Sequence, residues 1–154
     1  MIGSAVLSPC GRYRYVLTRT WGEGDAVTFV CLNPSTADAV GDDPTLRRCL
    51  GFAQAWGFGR LHMTNLFALR ATDPLILNQV KDPTGPGNDD HLGALASVST
   101  LVVAAWGVQR RHGGRHLDVR RRLPRWHYLR LTKDGYPAHP LYLPGHLTPV
   151  EWAQ

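Results

Sequence analysis

Asn33, Asn65 and His139 are the side chains of this 154-residue chain whose types and settings invite chemistry. Each stands where an apolar run gives way to polar or turn-forming residues: Asn33 after "VTFVCL", Asn65 within "HMTNLFAL", His139 in "AHPLYL". An asparagine amide presents one donor and one acceptor side by side, so Asn65 is the candidate reader of an amide-like edge on a planar ligand. Asn33 runs straight into Pro34, Ser35 and Thr36. Proline locks its own φ and restricts the residue before it, so Pro34 sets the exit direction of the chain. Ser35 and Thr36 are small enough to leave room for a ligand and can donate to a phosphate. The same four residues also suit a strand-terminating turn capped by Ser and Thr. Both readings stand at this level.

Carboxylates follow closely. Asp43, before Pro44, reads as a helix cap. Asp42 is then spare, and near enough in sequence to Asn33 to activate water or to touch a ribose or base. Asp38, Asp42 and Asp43 all remain open as the base that assists Asn33, with Asp42 the candidate catalytic acid residue. Arg47 and Arg48 fall in the first turn of the helix that Pro44 starts. Positive charge is unfavourable there, which points to an anionic partner. A second charged stretch, "QRRHGGRHLDVRRRLPRWHYLR" at 109–130, carries eight arginines against one acid, Asp118. Solvated helix faces usually mix signs. The expectation is that Arg110, Arg111, Arg120, Arg121 and Arg122 contact nucleic-acid phosphates; the alternative is a charged surface that aids solubility.

These residues need a scaffold. The composition, 44% hydrophobic and 19% charged, is that of a globular chain, and its length suits one domain spanning 1–154. No apolar run nears the roughly 18 residues of a membrane span, and the start lacks a basic region followed by a long apolar run, so a cytoplasmic protein without membrane partners is expected. Cys10, Cys31 and Cys49 are too widely spaced for a C-x-x-C pair, which argues against disulfides, zinc and iron–sulfur clusters. The net charge of +5 leans weakly toward polyanionic partners.

Residues 1–21 read as a β-hairpin whose second strand alternates Tyr13, Tyr15 and Leu17 with Arg12, Arg14 and Thr18. After it come buried strands in "AVTFVCL", "RLHMTNLFAL", "TLVVAAWG" and "WHYLRLT". Between them lie helices in "DPTLRRCLGFAQAWG", "DDHLGALASVS" and "RHLDVRRRL", with a short helix at "LILNQV". Asn88, Asp89 and Asp90 read as a helix cap. "KDGYPAHPLYLPGH" reads as a terminal loop. This alternation predicts an α/β fold: a three-layer α/β/α arrangement with a central four-stranded parallel sheet and the hairpin beside it. Ligands in such sheets bind at the carboxyl ends of strands. The exits there are Asn33, Asn65, Trp106-Gly107 and the loop of His139, Pro140, Leu141, Tyr142 and Leu143.

Taken in order, "CLNPSTADA", "HMTNLFALRATDP", "VVAAWG" and "HPLYL" resemble the motifs of the uracil-DNA glycosylase superfamily, over roughly 27–143. The first is nearest to the mismatch-specific branch, with Ser35 where that branch has Gly; Leu141 stands where the last motif usually has a small residue. The whole chain, with "NPSTAD", "DDPT", "NLFA" and "AWG", also resembles a bacterial and phage family known only as a domain of unknown function. The glycosylase resemblance implies hydrolysis of an N-glycosidic bond to a uracil-like or modified base, in single- or double-stranded DNA, by a monomer that uses no metal and no cofactor. It implies that Asn33 holds water by its carbonyl, that Asn65 and Trp106 bind the base, and that His139 donates to a base oxygen. Leu141 and Tyr142 would fill the stack left by a flipped base. Two alternatives remain open: hydrolysis of a free nucleoside or nucleotide in the same pocket, and a non-catalytic nucleic-acid or nucleotide binder.

Overall fold

The computed structural model describes residues 1–153. Among them, the chain order is β1 (Ile2–Leu7), β2 (Arg14–Thr20), β3 (Ala26–Cys31), α1 (Pro44–Ala55), β4 (Arg60–Asn65), α2 (Asn88–Val98), β5 (Leu101–Ala104), α3 (Arg115–Arg122), β6 (Trp126–Tyr128) and β7 (Val150–Trp152). Short 3-10 turns lie at Pro74–Asn78 and Pro140–Tyr142.

The apolar run of β3 makes it the sheet's middle strand, because only a strand covered on both faces can bury every side chain. From Val27 to Cys31 every residue is buried. Strict alternation then sorts the two layers. Val27, Phe29 and Cys31 pack with Leu46, Cys49 and Phe52 of α1. Val30 faces the other way, into the cluster that holds Leu92 of α2 and Val119 of α3. Helices therefore cover both faces.

The sheet has seven strands in the order β1-β2-β4-β3-β5-β6-β7. The neighbours among β4, β3, β5 and β6 pair in parallel, and the other pairings are antiparallel. The hairpin expected beside the parallel strands joins their sheet, because β2 pairs with β4 along Leu17–Met63 to Thr20–Arg60. Beyond the loop read at 133–146, Trp152 pairs with Trp126 and its strand covers the far edge, an element the sequence reading did not place. Neither pairing has a local signature, because both depend on which edge is left open when the parallel strands assemble.

One irregularity in the hairpin decides which way a buried arginine points. Val6 pairs with Val16, yet its neighbour Leu7 pairs with Arg14. Tyr15 is an extra residue on β2, a β-bulge, and a bulge reverses the alternation on one side of it. Leu17 and Arg19 share a face; regular pleating would give Arg14 the opposite one, with Val16 and Thr18. The bulge returns Arg14 to the face of Leu17. Both Arg14 and Arg19 are 4% exposed, which corrects the expectation that Arg14 lies on the polar side of the hairpin.

Those two arginines hold the loop between β3 and α1. Arg14 Nη1 donates to the Ala37 carbonyl at 2.8 Å. Arg19 Nη2 donates to the carbonyls of Asp38 (2.6 Å) and Gly41 (3.1 Å) and pairs with Asp42 at 3.0 Å. The loop lies so close to β1 that a Cβ on Gly3 would sit 2.0 Å from the Ala39 carbonyl oxygen and 2.8 Å from Arg19 Nη1. Gly3→Ala is therefore expected to displace the loop or the strand and to cost about 1–3 kcal/mol, as overpacking does. Urea unfolding of the variant measures it; an unchanged midpoint would show that the loop is not pressed against β1.

Candidate functional site

Parallel pairing sets the site. Cys31 of β3 is in register with Asn65 of β4, so the two strands end side by side. The ladder continues briefly past them through Leu66 N to Cys31 O (2.9 Å) and Phe67 N to Leu32 O (3.0 Å). Asn33 then clamps the two exits together. Its amide nitrogen donates to the carbonyls of Ala71 (2.7 Å) and Pro34 (3.1 Å), and Ala71 N returns a bond to the Pro34 carbonyl at 3.0 Å. Two carbonyl partners require the NH2 group on their side, so Oδ1 is left without those partners as a free acceptor.

The exits open into a cavity of about 290 Å³, near the lower end of the range for small-molecule sites. Asn33, Ser35, Asn65, Trp106, His139 and Tyr142 all line it, drawn from the segments expected to converge at this rim. Pro34 is buried and serves the clamp, while Thr36 is exposed and outside the lining. Leu141 also lies outside the lining and is 40% exposed; Tyr142 is 84% exposed at the rim.

The loop that carries His139 is anchored from three sides. Gly107, after β5, donates to the Pro137 carbonyl at 2.8 Å. Ala138 N donates to Arg130 O at 2.8 Å. Arg48, just past the first turn of α1, donates to the carbonyls of Pro140 and Leu143, so its positive charge serves these oxygens. His139 Nδ1 accepts from Leu141 N at 3.2 Å, which in the neutral ring puts the proton on Nε2. Burial pulls the pKa of His139 below the usual histidine range, with Asp43 opposing, so at neutral pH the ring is a neutral Nε2–H donor.

The carboxylates separate. Asp43 lines the cavity, and its Oδ1 caps α1 by accepting from Leu46 N at 2.8 Å while Oδ2 accepts from Ala37 N at 3.3 Å. Asp42 is not spare: Arg19 holds it from both Nε and Nη2, and it does not line the cavity. Asp38 is consumed in its own turn, accepting from Val40 N and Gly41 N, bonds that lower its pKa. Of the three, Asp43 is the one at the site.

Sequence reasoning missed Arg14. It lines the cavity with its Nε buried and without a partner. Burial lowers its pKa to about 10, against the opposing pull of Asp43, so it stays charged at neutral pH. Asn65 Nδ2 and Trp106 Nε1 are likewise buried without partners, at 2% exposure each. A buried unmade hydrogen bond costs about 1–3 kcal/mol. Asn65 itself is fixed from behind, because Asn88 Nδ2 donates to the carbonyls of Asn65 (2.9 Å) and Leu66 (3.1 Å). The expected cap role of Asn88 is replaced by this bond, as no side-chain cap closes α2.

The basic stretch is largely engaged elsewhere. Arg115 and Arg122 pair with Asp89 of α2, an acid outside the 109–130 window. Arg121 pairs with Asp118, and Arg110 with Asp134. Arg120 lies over the Trp152 ring, 3.5 Å from its centre, and donates to Ala153 O. Arg111 is exposed. Because α3 connects two parallel strands it runs against them, so Arg120, Arg121 and Arg122 lie toward the end of the sheet opposite the cavity. Among the described residues no three His, Cys, Asp or Glu side chains gather to hold a metal ion, and no helix is long and apolar enough to cross a membrane.

A family model described as "Protein of unknown function (DUF1643)" matches residues 14–141. No curated protein and no solved structure matches the chain.

Acid should weaken this structure in a defined direction. His62, His112, His116, His127 and His139 all have pKa values lowered, by burial first. The unfolded chain therefore binds more protons than the folded one just below the ordinary histidine pKa of about 6.5. Stability is full above that pH and falls as pH drops through the lowered values. Melting temperatures between pH 7.5 and 5 should decline, and His139→Gln should flatten part of that decline. A flat profile would show these histidines free to charge in the folded state.

Proposed function

The chain belongs to the DUF1643 family of proteins of unknown function, and from the chemistry of its cavity we propose that it hydrolyses the N-glycosidic bond of a uracil-like or modified base in DNA. One observation carries this reading. Asn33, Asn65 and His139 reach a single cavity from three separate segments, and the Asn65 amide N–H is buried without a partner. Cleavage of such a bond builds positive charge on the sugar and negative charge on the departing base. It calls for a held water, donors toward the base and a wall beside it. The Asn33 clamp leaves a carbonyl oxygen to hold water. Asn88 fixes the Asn65 backbone through its carbonyl, and the Asn65 side chain brings an amide to the lining. Neutral His139 keeps an N–H on Nε2 for a base oxygen. Asp43, already holding two backbone N–H groups, supplies fixed negative charge where the sugar turns positive. Exposed Leu141 and Tyr142 beside His139 suit insertion into a duplex.

A second reading, hydrolysis of a free nucleoside or nucleotide, is favoured by the ion pairs and the ring contact that engage Arg120, Arg121 and Arg122 away from the cavity. One experiment separates the two. Oligonucleotides carrying uracil, hypoxanthine, xanthine or hydroxymethyl-type bases are incubated with the protein and cleaved with alkali at abasic sites, alongside the matching free nucleosides assayed for released base. The expected outcome is strand cleavage that falls about 10²–10³-fold in Asn33→Ala, as when a preorganised polar group is removed from a transition state. Release from nucleosides alone would select the second reading. No release from either would overturn both.

A further inference from the structure

We infer that a groove beside the cavity, between the hairpin turn and residues 69–80, takes the phosphates of a single DNA strand whose base enters the cavity, with Arg12 and Arg70 as the phosphate-binding side chains. The inference rests on the base-binding reading above and adds to it the path of the strand. It starts from a short strand pair at the hairpin turn. Tyr13 forms an isolated antiparallel bridge with Leu69. On either side of that bridge Arg14 N donates to Ala68 O and Arg70 N donates to Arg12 O, both at 2.9 Å. Arg12 therefore stands directly opposite Arg70, and side chains in that relation share a face.

Like charges directly opposite across a strand pair are unfavourable. Among the described residues neither guanidinium meets a carboxylate at ion-pair distance. Arg70 Nη1 has the Gly11 carbonyl at 3.5 Å, a long hydrogen bond, and Arg12 is exposed. The groove they share, about 380 Å³, is lined by Gly11, Arg12, Leu69, Arg70, Ile76 and Val80, with no acid among them. Asp73 and Asp82, close by in sequence, are held in turns, where they accept from Leu75 N and Gly85 N. Two guanidinium groups side by side without a carboxylate match the chemistry of a phosphate, which arginine binds through paired N–H donors.

One segment forms the wall between groove and cavity. Leu69 and Arg70 line the groove, Ala71, Thr72 and Pro74 line the cavity, and Ile76 lines the groove again. Arg14, two residues from Arg12 and so on its face of the strand, lines the cavity. Arg70 is near enough to add to the lowering of the Arg14 pKa, after burial. A base in the cavity would thus lead its backbone over this wall to Arg12 and Arg70, with Leu69, Ile76 and Val80 beside the sugar. The groove supplies, at the cavity end of the sheet, the unpaired positive charge that Arg121 and Arg122 do not: both are ion-paired, toward the opposite end.

Fluorescence anisotropy of a short labelled single-stranded oligonucleotide, titrated at several salt concentrations, tests this. Arg12→Gln/Arg70→Gln should weaken binding and flatten the log–log salt dependence by about 1.4, two contacts at about 0.7 each on a single strand. Arg121→Gln/Arg122→Gln should keep the wild-type slope. An unchanged slope in the groove variant, equal flattening in the helix variant, or no binding by the wild-type protein at low salt overturns the inference. Should the double variant not fold, Arg12→Gln alone decides, because that side chain is exposed. Its slope should flatten by about 0.7, and no change overturns the proposal. A nucleoside monophosphate that binds through Arg12 and Arg70 where the oligonucleotide does not would give the groove to a small nucleotide, and overturns the strand. Groove-dependent binding without base release from oligonucleotides or nucleosides would fell the hydrolase reading alone. Base release from oligonucleotides with an unchanged slope in the groove variant would fell the groove alone.

Discussion

Two guanidinium groups buried on one strand have to find acceptors, and much of the working end of this molecule depends on how they do so. An isolated buried charge is costly unless paired or hydrogen-bonded. Arg14 and Arg19 meet that demand with carbonyls and one carboxylate of the loop after β3. That loop carries Asp43 to the mouth of the cavity and delivers the chain to α1. The N-terminal hairpin is thus the wall against which the site is assembled.

The same arrangement recurs around the cavity. Side chains on the cavity lining are bound to backbone groups, and each keeps one polar feature uncommitted. Asn33 commits its amide nitrogen to two carbonyls and keeps an oxygen. His139 commits Nδ1 to Leu141 and keeps a proton on Nε2. Asp43 commits both oxygens to backbone N–H groups and keeps its charge. Each group therefore has one orientation before any ligand binds, and preorganisation of this kind lowers the cost of both binding and reaction.

Charge at the surface behaves differently. The arginines of α3 make pairs with exposed or half-exposed acids, contacts that contribute little singly. Arg115, less exposed, joins α3 to both Asp89 and the Leu66 carbonyl, and so supports the exit of β4 from behind. Part of the basic stretch is scaffold for the site rather than a surface left over for a polyanion.

The sequence by itself determined the alternation of strands and helices, the capping of α1 by Asp43, and the exits at which Asn33, Asn65 and His139 stand. These come from local rules: apolar runs, the restriction proline imposes, and the preference of Asp for an N-cap. It did not disclose Arg14, because one extra residue on β2 reverses a period-2 pattern, and that extra residue exists only relative to its partner strand. Nor did it disclose that Asp42 belongs to Arg19 or that Asp89 neutralises arginines about thirty positions away, because such pairs depend on which elements lie side by side. That Asn65 Nδ2, Trp106 Nε1 and Arg14 Nε are buried without partners was decided by tertiary structure alone. Whether a donor has a partner is a property of the space around it, and that space is made by strands remote in the chain.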